Sequence, residues 1–207
     1  ACQVKNTEPD ERLWEEITRV EEDIRSTCKI EDINKWTPIF ATRQAYKRLG
    51  KDPNRYRPSA EALRRRILRG LRLYKIDTLV DIVNLVSIRS GYSIGGFDAD
   101  KIVGGLELGV GKEGEIYHGI GRGKLNIAGL PVYRDGVAGV GTPTSDEERT
   151  KIEMSTTSLL MILNGYSGKE GLLEAGGYSV DLLKRYVSAV NVEAELICRE
   201  NRGKITL

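Results

Sequence analysis

The chain is short of the residues that build metal centres and disulfide frameworks. Histidine occurs once in 207 residues, at His118, which excludes multi-histidine zinc and iron sites. Its three cysteines, Cys2, Cys28 and Cys198, are odd in number, far apart and without CxxC or Cys/His spacing. Neither a zinc knuckle nor a disulfide scaffold is expected, and a reducing, cytoplasmic setting is the simplest expectation. No metal and no cofactor is expected. Long apolar runs are missing as well: the longest uncharged stretch, Met154 to Gly168, has 15 residues and includes Ser, Thr, Asn and Gly, too short and too polar for a bilayer. The opening segment from Ala1 is polar and charged, unlike the basic-then-apolar pattern of a secretory signal.

What is present is enough apolar residue, 40%, for one ample core, and a charge distribution that is far from even. The formal net charge is +2, yet the stretch from Arg43 to Lys75 carries nine Arg and three Lys against Asp52 and Glu61, and the segments on both sides are net acidic. A basic strip on an otherwise mildly acidic chain suits a polyanion, because clustered cations displace counterions from phosphates. The alternative is a solvated helix face paired with the acidic N-terminal helix.

Apolar residues Leu13, Trp14, Ile17, Val20 and Ile24 recur at helical spacing from Asp10 to about Cys28. A second helix is predicted over Trp36 to Leu49, ended by Gly50 and the turn Asp52-Pro53-Asn54. A basic helix follows, with Ser59 as N-cap, a buried stripe of Leu63, Ile67, Leu68 and Leu71, and Arg64, Arg65, Arg69 and Arg72 largely on the other side. From Asp77 to Arg89 the sequence is apolar nearly all round, which predicts a central buried helix. Asp81 and Asn84, three apart on it, are expected to share one face. Fifteen of the 23 glycines fall between Gly91 and Gly141, a region of strands and turns with candidate strands at Gly105 to Val110, Ile116 to Ile120 and Asn126 to Tyr133. A further strand is predicted over Ser158 to Leu163, and a long helix over Val180 to about Arg199.

Two glycine motifs fail on context. Gly109-Val110-Gly111-Lys112-Glu113-Gly114 matches GxGxxG but precedes a strand-like stretch where a dinucleotide fold needs a helix. The run from His118 to Lys124 resembles a phosphate loop, but Leu125 stands where Ser or Thr should meet magnesium, so a turn between strands is favoured. His118 is either an acid/base group or a structural hydrogen-bonder. The loop Gly141-Thr142-Pro143-Thr144-Ser145-Asp146-Glu147-Glu148-Arg149-Thr150 suits a small polar ligand, or Ser145 caps a following helix.

Val80-Asp81-Ile82-Val83-Asn84-Leu85-Val86, then Gly91, then Phe97-Asp98-Ala99-Asp100-Lys101-Ile102, resembles the tRNA-binding and editing domain of the phenylalanyl-tRNA synthetase beta subunit. Arg57-Pro58-Ser59-Ala60-Glu61-Ala62-Leu63-Arg64-Arg65 upstream, and Ala138-Gly139-Val140 and Thr157 downstream, fit the same order. The resemblance spans roughly Arg57 to Tyr166. It implies hydrolysis of a wrongly attached amino acid, tyrosine in the synthetase, from the 3′ end of tRNA, a second selection that one site cannot achieve between near-isosteres. Asn84 matches the family's pocket asparagine. Gly95 stands at its pocket histidine, and Leu163, with Asn164 beside it, at its glutamate.

These readings predict an α+β fold, with a helical extension over residues 1–55 and the editing-like domain over 56–207. Its expected activity is trans-editing of aminoacyl-tRNA or another aminoacyl ester. The alternative is a non-catalytic RNA- or amino-acid-binding protein on the same fold. A third is hydrolysis of a small ester or peptide without nucleic acid. Expected catalytic residues are Asn84, Thr144 and Arg149. Asp81, Tyr92, Gly95, Asp98, His118, Gly141 and Ser145 are expected at the substrate, and Arg57, Arg64, Arg65, Arg69, Arg72 and Lys75 at RNA. Neither DNA nor a membrane is an expected partner.

Overall fold

Hydrogen-bonding side chains set the helix starts. In the computed structural model, which describes residues 1–198 and the backbone of Arg202–Ile205, strand β1 (Cys2–Gln3) leads into helix α1 (Glu11–Thr27). Asp10 caps α1, accepting the amides of Arg12 at 2.8 Å and Leu13 at 3.3 Å, which satisfies two otherwise orphaned donors. Helix α2 (Thr37–Arg48) carries Pro38 in its first turn, and α3 (Ser59–Leu68) follows. Helix α4 (Thr78–Ser90) is capped by Asp77, which accepts the Val80 amide at 2.9 Å. It stops at Gly91, whose φ of 80° suits the left-handed end.

Strand β2 (Ser93–Asp98) comes next, then β3 (Glu107–Val110), β4 (His118–Gly119), β5 (Gly123–Lys124), β6 (Pro131–Arg134), β7 (Gly139–Gly141) and β8 (Ser158–Asn164). The order closes with helix α5 (Glu170–Val187) and the antiparallel pair β9 (Ala194–Ile197) and β10 (Arg202–Ile205). Every sheet is small and antiparallel, in the orders β1-β8-β2, β3-β6-β7, β4-β5 and β10-β9. This is an α+β fold.

The main core lies between the β1-β8-β2 sheet and helices α1, α3, α4 and α5. Leu79, Ile82, Leu85, Val86 and Ile88 of α4 are fully buried, as expected of a central helix. Residues before α3 are woven into the same body: Cys2 pairs with Leu159 in the sheet, and Leu13, Trp14, Ile17 and Ile24 of α1 join the main core. A second cluster, Tyr46, Tyr117, Ile127, Leu130 and Val132, supports the glycine-rich half.

Several local expectations change. Ser59 is the first helical residue and makes no capping bond; its amide instead donates to the Pro143 carbonyl at 2.8 Å, tying α3 to the loop after β7. Leu71 lies beyond α3 and is half exposed. The long C-terminal helix starts ten residues earlier than its apolar pattern suggests and ends at Val187, with Ala194–Ile197 a strand; Arg199 lies outside the described residues. Ser145 caps no helix: Glu147 caps the 3-10 turn Glu148–Thr150.

Candidate functional site

A cleft of about 400 Å³ opens between the α3–α4 pair and the loop that follows β7. Its walls are largely aliphatic, with Leu63, Val80, Val83, Ile94, Ile120 and Ile152 among the lining residues. The polar groups come from four places: Ser59 at the start of α3, Asn84 and Ser87 on α4, Thr142, Ser145 and Asp146 in the loop, and Lys151 after it. An apolar concavity with a few convergent polar groups is the usual form of a small-ligand site.

Each polar group differs in how far the protein already uses it. Ser87 Oγ donates to the Tyr92 carbonyl at 2.8 Å, and Thr142 Oγ1 donates to the Ser145 carbonyl while accepting the Thr144 and Ser145 amides. Lys151 Nζ is paired with Glu148 at 2.9 Å. The Asn84 carboxamide makes no hydrogen bond to another described residue and is half-buried, facing the cleft. It stands ready to donate to and accept from whatever enters.

Asp146 is the group that sequence reasoning left out of the site. Its Oδ2 accepts the Gly96 amide at 3.1 Å, at the edge of β2. A Cβ built on Gly95 would stand 3.2 Å from its Oδ1 and 2.6 Å from the Phe97 ring; one on Gly141 would stand at 3.1 Å and 2.4 Å. Glycine at both positions is therefore what leaves room for the carboxyl and the ring. Burial pushes Asp146 up to about 8, against the Gly96 amide, which lowers it. Shifted carboxyls in clefts mark functional candidates. No local pattern identifies this one, since its hydrogen-bond partner Gly96 lies fifty residues away; the density of hydroxyls and acids from Gly141 to Thr150 was the available signal.

The residues expected at the substrate do not all meet. Asn84 and Ser145 line the cleft, and Gly95 and Gly141 shape the space beside Asp146. Asp81, expected on the same face as Asn84, is turned into the core, where it accepts the Trp14 indole N–H at 2.6 Å and the Ile76 amide at 3.3 Å. The 100° step between helix residues, multiplied by three, separates the two by about 60°, enough for one to face α1 and the other the cleft. Thr144 is buried with its hydroxyl 2.9 Å from that of Tyr46. Arg149 is clamped on Asp135 through two bonds of 3.0 and 2.9 Å and donates to the Lys101 carbonyl. Burial would raise Asp135, but that guanidinium and three backbone amides outweigh it and hold the carboxyl well below its usual range. Tyr92 is buried with its hydroxyl toward Ser167, and Asp98 is buried, accepting from Thr156 at 3.0 Å. His118 is exposed on β4, 3.9 Å from Glu147. None of these last residues lines the cleft.

The basic strip divides in two. Arg64 is a correction, because it is buried: its guanidinium lies 3.1 Å from the Trp36 ring centroid and donates to the Ile88 carbonyl at 2.8 Å. Burial lowers its affinity for the proton to a pKa of about 10. Arg65 pairs with the fully buried Glu61 at 2.8 Å, as does Arg43, and the exposed Arg57 lies 3.9 Å from the same carboxylate. These cations hold the fold's own anion. Arg69 and Arg72 are exposed and unpaired by any described carboxylate, and Lys75, partly exposed, meets Glu11 at 3.0 Å. The segment they occupy ends at Ile76, which lines the cleft.

Among the described residues no cluster of three His, Cys, Asp or Glu is placed to hold a metal ion, and no helix is long and apolar enough to cross a membrane. A family model described as the B3/4 domain matches residues 41–172, more than half of the chain; this is the domain found in the phenylalanyl-tRNA synthetase beta subunit. No curated protein matches the chain.

Proposed function

We infer, because this chain belongs to the B3/4 domain family, that its cleft receives the aminoacylated 3′ end of a tRNA, or a related aminoacyl ester, and promotes hydrolysis of the ester. The family is tRNA-related; the deacylation is our reading. In that reaction water adds to the ester carbonyl carbon and the bond to the ribose oxygen breaks. The proton passes to that oxygen, and the products are a free amino acid and an uncharged 3′ terminus. An aminoacyl ester is already labile, so positioning of water and donors for the developing oxyanion suffice. The observation that carries the reading is the Asn84 carboxamide, unpartnered among the described residues and facing an aliphatic cleft. It can orient water through its oxygen or meet the oxyanion through its N–H groups. Arg69, Arg72 and Lys75 lie on the segment that runs into the cleft wall, where cations meet the phosphates of an acceptor end.

The test is release of amino acid from a panel of correctly and incorrectly charged tRNAs, wild type against Asn84→Ala, at one salt concentration. Selective release that the variant loses supports the reading; absence of release from every charged tRNA overturns it. Arg69→Glu with Arg72→Glu should weaken tRNA retention by about tenfold and flatten its dependence on salt. Unchanged retention removes these residues from the interface. A second reading, a non-catalytic binder on the same fold, is favoured by one observation: Thr144 and Arg149, expected to be catalytic, are committed to Tyr46 and Asp135. Retained tRNA binding without release would select it.

A further inference from the structure

The cleft wall holds two ionisable side chains, Asp146 and Lys151, and they are not a pair. Lys151 is bonded to Glu148. Asp146 has no cation partner among the described residues: its hydrogen bond is to the Gly96 amide, through Oδ2. Oδ1 lies beside Gly95 and Gly141, where any side chain would collide with it or with Phe97. The rest of the cleft wall is largely aliphatic, with Val83, Ile94 and Ile152, and the Tyr117 and Tyr133 hydroxyls lie near enough for the carboxylate to push them up. A carboxylate left in such a place without a counter-charge is costly, and the cost is relieved by a cation brought by a ligand. The cation must approach from the cleft, because Phe97 fills the side toward Gly95 and Gly141, and it must sit on a largely apolar body to suit the walls.

We propose that Asp146 is an anchor for a primary ammonium, and that the cleft recognises an aminoacyl group through its free α-amine while the aliphatic walls receive the side chain. This rests on the reading of the cleft as an aminoacyl site and adds which part of the aminoacyl group is read. The α-amine is one carbon from the scissile carbonyl, so holding it fixes that carbonyl relative to Asn84 without any contact to the leaving ribose. Asp146 is in this sense a positioning residue. The upward displacement of its proton affinity by burial fits this role, since an ammonium within hydrogen-bonding distance favours the ionised form.

The experiment uses the full chain and adenosine analogues that carry alanyl, valyl, leucyl or tyrosyl groups through a non-hydrolysable 3′-amide, each with a free or an N-acetylated α-amine. Binding is measured by calorimetry to wild type and to Asp146→Asn, an isosteric change whose folding is checked by thermal melting. At least one free-amine analogue should bind wild type roughly ten- to a hundredfold more tightly than its N-acetyl counterpart, the range of a hydrogen bond to a charged group. Asp146→Asn should erase that preference while leaving the N-acetyl affinity in place. Equal binding of the two forms, no binding of any free-amine analogue, or a preference that survives in Asp146→Asn would overturn the proposal. The wild-type comparison stands even if the variant fails to fold. Amine preference without release from charged tRNA would sink the deacylase reading and keep the anchor; release without amine preference would do the reverse.

Discussion

Asp81 and Asp146 are two carboxyls in apolar surroundings, both pushed upward by burial, Asp81 to about 6 and Asp146 to about 8. Their neighbourhoods differ. Asp81 sits where α4 packs on α1 and accepts two donors, the Trp14 indole N–H and the Ile76 amide, each of which lowers it. Asp146 sits on the wall of a cleft, accepts one backbone amide, and is kept clear of side chains by Gly95 and Gly141. Burial alone therefore does not separate structure from function here. The number of donors supplied by the protein does, because a polar group satisfied internally braces the fold while one left short is completed by a ligand.

The largest effect expected to sharpen this contrast is on chemistry. Asn84→Ala, one turn along α4 from Asp81, should lower aminoacyl release by about a hundredfold, the range for losing an oriented polar group. Its melting temperature should stay close to wild type, since the carboxamide has no described partner to lose. Parallel turnover and melting assays measure both. Asp81→Ala should behave oppositely, costing roughly 2–4 kcal/mol in denaturant unfolding because two buried donors lose their acceptor, with release per folded molecule unchanged. A variant that kept its stability would break the assignment of Asp81 to the fold. Gly141→Ala should cost about 1–3 kcal/mol by overpacking against Phe97, and it should also weaken aminoacyl-analogue binding by displacing Asp146; a change in stability with full binding would show that the carboxyl can move without consequence.

The pH dependence separates the two sites as well, and its sign follows from the direction of the shifts. Native Asp146 keeps its proton to about pH 8, whereas the unfolded chain releases it near the ordinary 3.8. Its stabilising contribution is full below about pH 4 and is lost as pH rises through 8. For Asp81 the same loss is complete near pH 6. The melting temperature of wild type relative to Asp146→Asn should therefore keep falling between pH 5 and 8. Relative to Asp81→Asn it should level off above about pH 6. Two parallel curves would erase the distinction between the sites.

Much of the helical frame was legible. The spacing of Leu13, Trp14, Ile17 and Ile24 placed α1, the apolar girth of residues 79 to 88 placed α4 in the core, and β8 followed from Ser158 to Leu163. The resemblance placed Asn84 at the pocket position that lines the cleft. Other elements misled for definite reasons. The predicted strands omit β2, which carries the Gly95-Gly96 pair, although its residues are all buried and paired with β8. Gly176 and Gly177 hid the middle of α5, where a buried glycine sits among packed side chains. Arg64 was read from its charge as a surface group, yet Trp36, 28 residues earlier, supplies the ring on which it stacks.

Neighbours within a turn or two suffice for the amphipathic spacing, the caps at Asp10 and Asp77, the stop at Gly91 and the concentration of cations between Arg43 and Lys75. Tertiary structure alone decided which of those cations are free and which polar groups face the cleft. The reason is distance along the chain. Asp146 meets Gly96 fifty residues away, Asp81 meets Trp14 across 67, and Ser59 is tied to Pro143 by a backbone bond. Whether a charged side chain is satisfied inside or left for a ligand depends on such long-range partners, which no local pattern records.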